Sequence, residues 1–181
     1  TPPAAAAAAR RQTASMAASA AASAPRFVPY RPSPARKTHR SPFMQTTRFL
    51  ITGVGGQGTL LASKLLGRVL CNEGYDVKVS EVHGMSQRGG SVVTYVRYGE
   101  KVNEPIVEEG CADVLIAFER LEALRYAHFL KKDGVIIVND QRIDPITVVT
   151  GAAQYPDGII EELSGKYKVI SVDAMDEAKK L

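Results

Sequence analysis

The sequence predicts an α/β fold, a doubly wound and mostly parallel sheet, on three observations. A short apolar strand over residues 49–52 runs into the glycine-rich turn Gly53-Val-Gly-Gly-Gln-Gly58 and leaves it through a segment of helical spacing. Two later runs, residues 113–118 and 135–138, are apolar at nearly every position, as in strands covered on both faces. Segments with helical spacing lie between the strands, and that alternation gives a parallel sheet.

Taken in order, residues 49–52 are the first strand. Residues 59–72 form a helix, with Leu60, Leu61, Lys64, Leu65, Arg68 and Val69 at mixed but helical spacing. Asn72-Glu-Gly74 ends it, since Gly74 suits the left-handed position just after a helix. Residues 76–80 make the second strand, and residues 81–90 a polar, glycine-containing loop. Residues 91–98 are β-branched and aromatic, hence a third strand, which turns at Gly99-Glu-Lys101. After the strand at 113–118, residues 120–130 read as a helix carrying Leu121, Leu124 and Phe129, stopped by Asp133-Gly134. Residues 135–138 and 167–172 are the last strands. A helix begins at Ala174 and the sequence stops inside it at Leu181, so the domain is expected to continue past that point.

Charge divides the chain in two. Seven of the 23 basic residues and none of the 19 acidic ones fall in residues 1–43, so residues 44–181 carry 16 basic and 19 acidic residues, net −3. The overall charge of +4 therefore belongs to the leading segment, and the body has no nucleic-acid signature by charge. Residues 1–43 are rich in Ala, Ser, Pro and Arg, a composition that cannot bury a core. They read either as an organelle transit peptide or as sequence ahead of a true start at Met44; the opening Thr1 favours a fragment. One domain is expected over 44–181. No run reaches the ~18 apolar residues of a membrane span, so no membrane is expected. Cys71 and Cys111 stand apart with no CxxC or His partners, which fits a reduced, cytoplasmic protein without a structural metal.

Gly53, Gly55 and Gly58 match GxGxxG between a strand and a helix, the Rossmann fingerprint. Glu81, at the end of the second strand, stands roughly where an acidic residue would hold an adenosine ribose. Alternatively, the glycines only allow tight strand–helix packing. A P-loop is nearly excluded, because the phosphate-reaching Lys is missing. Gln57 inside the turn offers its amide to a ligand or to a neighbouring loop.

The second loop is more specific. Glu81-Val-His-Gly-Met-Ser-Gln-Arg-Gly-Gly-Ser91 follows the second strand and should lie at the carboxyl edge of the sheet, beside the first turn. Together with Ala112-Asp-Val-Leu-Ile-Ala-Phe-Glu119 and Glu122-Ala-Leu-Arg125, in this order, it resembles the small (beta) subunit of indolepyruvate ferredoxin oxidoreductases. More broadly, residues 47–181 resemble the gamma-type domain of pyruvate/2-ketoisovalerate:ferredoxin oxidoreductases. The resemblance implies a Rossmann-like fold that is not an NAD site, and a subunit rather than a whole enzyme. Such a complex decarboxylates an aryl 2-oxoacid, conjugates the acyl fragment to coenzyme A and passes electrons to ferredoxin. It also implies that thiamine diphosphate and iron–sulfur clusters belong to a large alpha subunit, leaving this chain no catalytic residue of its own. The residues agree, with no cluster-type cysteine spacing and no recognisable nucleophile–base pair. The candidates for holding coenzyme A or the partner are Gly53, Gly55, Gly56, Gln57 and Gly58 in the first turn, and Ser86, Gln87, Arg88, Gly89 and Gly90 in the second loop. A diphosphate suits the helix start behind the first turn. Two other readings stay open: a stand-alone NAD-dependent dehydrogenase, and a non-catalytic module that stabilises a partner.

Overall fold

Apolar and β-branched runs become strands where a neighbour takes their backbone groups, and six do so among the described residues. The computed structural model describes residues 46–83 and 89–180. The expected tail over 1–43 lies outside the described residues, as do Ser86, Gln87 and Arg88. The strands are β1 (Thr47–Val54), β2 (Asp76–His83), β3 (Ser91–Gly99), β4 (Ala112–Ala117), β5 (Leu130–Asn139) and β6 (Lys168–Val172). The helices are α1 (Thr59–Asn72), α2 (Arg120–Tyr126), α3 (Ile146–Val149), α4 (Ile159–Ser164) and α5 (Ala174–Ala178).

The sheet runs β2-β3-β1-β4-β5-β6. β1, β4, β5 and β6 pair in parallel, while β3 is antiparallel to both β1 and β2. Five strands thus point one way and β3 alone is reversed, which is the mostly parallel α/β fold the sequence predicts. The local difference is that β2 and β3 form a hairpin. Glu81, Val82 and His83, read as the start of a loop, extend β2 instead, because Thr94, Val93 and Val92 stand opposite them in β3.

The two faces of the sheet are covered differently. On one, Leu50, Leu115, Ala117, Ile136 and Val138 pack against Leu121, Ala123, Ile159 and Leu163 of α2 and α4. On the other, α1 lies on β2 and β3 with Gly67 against Val77 and Val79. The helix α1 matches its expected bounds and ends as expected, with Gly74 at φ +84° and its N–H donating to Cys71 O. Its docking face is not the stripe read from the sequence, however, and Leu66 and Leu70 are half-buried beside it. The buried residues are the small Thr59, Ser63 and Gly67, while Leu61, Leu65 and Val69 remain 66, 57 and 53% exposed.

A second departure lies between α2 and β5. The helix expected over 120–130 ends at Tyr126, passes through a 3₁₀ turn (Ala127–Phe129) and becomes strand at Leu130. The register of β5 against β4 then jumps from Ala112↔Leu130 to Val114↔Val135, so residues 131–134 form a bulged excursion. A Cβ on Gly134 would sit 2.6 Å from Leu130 Cδ2 and 3.1 Å from Lys131 O. Asp133-Gly134 therefore shape a strand rather than stop a helix. The stretch between β5 and β6, given no element by its sequence, holds α3 and α4. Among the described residues no helix is long and apolar enough to cross a membrane.

Candidate functional site

The two glycine segments meet at the carboxyl edge of the sheet. Gly55 N–H donates to Gly90 O at 2.8 Å, and Gly89 N–H donates to Gly55 O at 3.4 Å. Gly89 sits at φ +77°, a conformation that side chains disfavour. The return limb of the second loop thus meets the first turn through backbone hydrogen bonds. Of the candidates in that loop, Gly89 and Gly90 are brought to the turn.

Within the turn the glycines do different jobs. A Cβ at Gly53 would lie 2.9 Å from Thr59 Cγ2 and 3.0 Å from both Gln57 Oε1 and Phe118 Cβ, so Gly53 serves close packing. Gly56 and Gly58 have φ of +101° and +89° with open space around them, so their need is conformational. Gly58 caps α1 without a side-chain hydrogen bond, and the first turn of α1 carries no acid. The positive end of a 14-residue helix is therefore left to backbone groups. A cleft of about 360 Å³ opens there, lined by Gly55, Gly56, Gly58, Thr59 and, from β2, Glu81.

Gln57 is fully engaged inside the fold. Its Oε1 accepts from Val54 N–H at 2.7 Å, and its Nε2 donates to Phe118 O at 2.9 Å and Gln141 Oε1 at 3.1 Å. Asn139 Nδ2 donates to the same two oxygens, and Asn139 Oδ1 accepts from Ala174 N–H. One amide network therefore ties the carboxyl ends of β1, β4 and β5 to the start of α5. It fills the crevice between β1 and β4, the point where the connections turn to opposite faces and where doubly wound sheets usually admit a ligand.

Sequence reading missed two buried acids. Glu119 is 1% exposed and Glu122 2%. Glu119 is the N-cap of α2 and accepts Glu122 N–H at 3.0 Å. Its other oxygen accepts Tyr155 O–H at 2.5 Å and Ile143 N–H at 3.2 Å. Burial, and then that hydrogen bond to Glu119, hold the Tyr155 phenol well above its usual pKa near 10. Arg142 stacks on the Tyr155 ring, 4.4 Å from its centre. Glu122 accepts Ser91 O–H and an N–H of Arg125. A partial signal was available: an acid just before a helix can accept the N–H of the residue three positions on, as Glu119 does. Among the described residues no three His, Cys, Asp or Glu side chains are grouped as metal ligands.

These features define the class as a Rossmann-like α/β domain that presents backbone at one edge of its sheet. Residues 48–181 match the family described as pyruvate ferredoxin/flavodoxin oxidoreductase. Indolepyruvate oxidoreductase subunit IorB of Thermococcus kodakarensis is 47% identical over 138 residues, 73% of this chain and 68% of the relative. The crystal structure of pyruvate oxidoreductase subunit PORC from Thermotoga maritima aligns with a TM-score of 0.53 at 20% identity, covering 76% of this chain and 67% of that one. The 2-oxoglutarate:ferredoxin oxidoreductase from Magnetococcus marinus, solved with 2-oxoglutarate, coenzyme A and succinyl-CoA bound, aligns at 0.53 and 14% identity, over 76% of this chain and 22% of that one. These two structures share the fold. The chain belongs to the pyruvate ferredoxin/flavodoxin oxidoreductase family.

Proposed function

We propose that this chain is the small subunit of an indolepyruvate-type, aryl-2-oxoacid ferredoxin oxidoreductase. The complex would convert the oxoacid and coenzyme A to an acyl-CoA and CO₂, with the electrons passed to ferredoxin. The observation that carries the reading is the pairing of Gly55 with Gly89 and Gly90 beside the uncapped start of α1. It sets two glycine-rich backbone edges against a positive helix end, a surface suited to the diphosphate of coenzyme A or to a partner's backbone. Glu81 shares the cleft, and its acid favours a hydroxyl or amide of the ligand there over a second phosphate. A large alpha subunit would hold thiamine diphosphate and iron–sulfur clusters, which would supply the decarboxylation and electron-transfer chemistry. This chain's residues would bind, orient and exclude water. The filled crevice beside Gln57 speaks for this reading over dinucleotide binding in the same place. The reading assumes the cytoplasm, and both Cys71 and Cys111 are free thiols.

The test is reconstitution with the large subunit. Ferredoxin reduction by indolepyruvate should require both chains and coenzyme A; activity of the large subunit alone at the full rate would overturn the assignment. The substitution Arg88→Ala should raise the coenzyme A concentration for half-maximal rate on the order of tenfold, the loss of one charge-assisted hydrogen bond. If co-purification weakens instead at every coenzyme A concentration, the loop meets the partner and not the cofactor. Wild-type behaviour in turnover, coenzyme A dependence and assembly would remove the loop from the site.

A further inference from the structure

Glu122 is a buried acid that the proposed function leaves unused. It does not cap its own helix, because Glu119 does that. Its two oxygens point two ways. Oε1 accepts from Arg125 Nη1 at 2.6 Å, and Oε2 accepts from Ser91 Oγ at 2.5 Å and lies 3.5 Å from Thr52 Oγ1. Tyr126 Oη closes the group, 3.2 Å from Ser91 Oγ. A carboxyl group in a nearly waterless place is costly unless its lone pairs are met, so its donors are held firmly.

Ser91 is the first residue of β3 and directly follows Gly90, whose carbonyl receives the Gly55 N–H. A continuous path therefore runs from α2 through Glu122 and Ser91 to Gly90 and on to the first glycine turn. Thr52 braces the other side, its hydroxyl donating to Val92 O at 3.1 Å. A crevice of about 20 Å³ lies beside Gly89, Ser91, Glu122 and Arg125, room for a water and little else. We infer that Glu122 is a positioning residue: acting through Ser91, it holds the return limb of the second loop against the first turn. It thereby sets the spacing of the two backbone edges, and its effect on coenzyme A rests on the function proposed above.

The test is amide hydrogen exchange of the full chain by NMR, in wild type and in the variants Ser91→Ala, Glu122→Ala and Glu122→Gln. Gly55 is the reporter, since its N–H makes the closing bond. Leu115, fully buried in the central strand β4, reports global opening. Gly55 should exchange at least tenfold faster in Ser91→Ala and Glu122→Ala, with Leu115 unchanged. Glu122→Gln still offers Ser91 an acceptor and should stay within about twofold of wild type. In the reconstituted complex the first two variants should raise the half-saturating coenzyme A concentration with little change in kcat, and Glu122→Gln should restore it. Unchanged Gly55 exchange in both variants overturns the inference, and so does equal acceleration at Leu115, which would make Glu122 an ordinary core group. Faster Gly55 exchange with unaltered coenzyme A dependence sustains the positioning role and overturns the assignment of the loops to coenzyme A.

Discussion

Two halves of one sheet face behave differently although their strands look alike in sequence. Over β2, β3 and β1, the helix α1 sits close through Thr59, Ser63 and Gly67, and Ile51, Val92 and Val96 beneath it are buried. Over β4, β5 and β6, on the same face, the register lines up Ile116, Ile137 and Ile170. Ile116 and Ile137 are only partly buried, and Ile170 is 45% exposed. The contrast teaches that an apolar run establishes a strand but not its cover. Cover depends on whether a helix approaches, and the fully buried residues of α1 are no larger than threonine.

The comparison can be broken most sharply with one substitution placed twice. Ile51→Asp should abolish folding or cost about 4 kcal/mol or more, because a charge is buried without a partner. Ile137→Asp, on the open half, should cost about 1–2 kcal/mol, the share of isoleucine burial realised there. Urea unfolding of both variants measures the difference. Equal losses would mean that the β4–β6 half is covered in solution.

A smaller effect tests the close approach itself. A Cβ at Gly67 would lie 3.5 Å from Val79 and 3.9 Å from Val77, ordinary contact, whereas a longer side chain has nowhere to go. Gly67→Leu should therefore cost roughly 1–3 kcal/mol despite leucine's better helix propensity. A thermal midpoint at or above wild type would show that α1 stands off the sheet.

The opposite face, covered by α2 and α4 at its centre, supplies the control, with the smallest effect near neutral pH. Tyr155 holds its proton more tightly folded than unfolded, so its contribution is complete below the unfolded value near 10. It is lost as pH rises from there toward the raised folded value. Stability measured from pH 9 upward should fall, and Tyr155→Phe should flatten that slope. An identical slope in the variant would assign the alkaline loss to other groups.

Much of this was legible in the sequence. The bounds of α1 were readable because Gly53–Gly58 and Gly74 punctuate it at both ends, and β3 because its residues are almost all β-branched or aromatic. The meeting of the two glycine loops followed from the strand–turn–helix order alone. The hairpin was not legible, since nothing in residues 81–83 distinguishes strand from loop until Val92 to Thr94 are known to face them. Nor was the bulge at Gly134, whose cause is crowding by Leu130 and Ala112 O, the latter far off in sequence. The inward face of α1 was misleading because helical periodicity favours the larger apolar residues, and the backbone's closeness to β2 selected the smaller ones. Glu119 and Glu122 were quoted in a motif and given no role there. Their burial arises from Ser91, Tyr155 and Ile143, which lie between 24 and 36 residues away along the chain.

The hairpin has a consequence for how this architecture can vary. In an ordinary βα connection, lengthening a loop displaces the helix that follows it and disturbs the packing of the whole layer. Here the second loop leaves β2 and returns in β3, so both of its anchors stand on neighbouring strands at the same rim. Residues can be gained, lost or exchanged at that tip at a closure cost that grows only slowly with length. The wiring of the sheet stays as it was. Change at that point leaves the way the domain folds untouched.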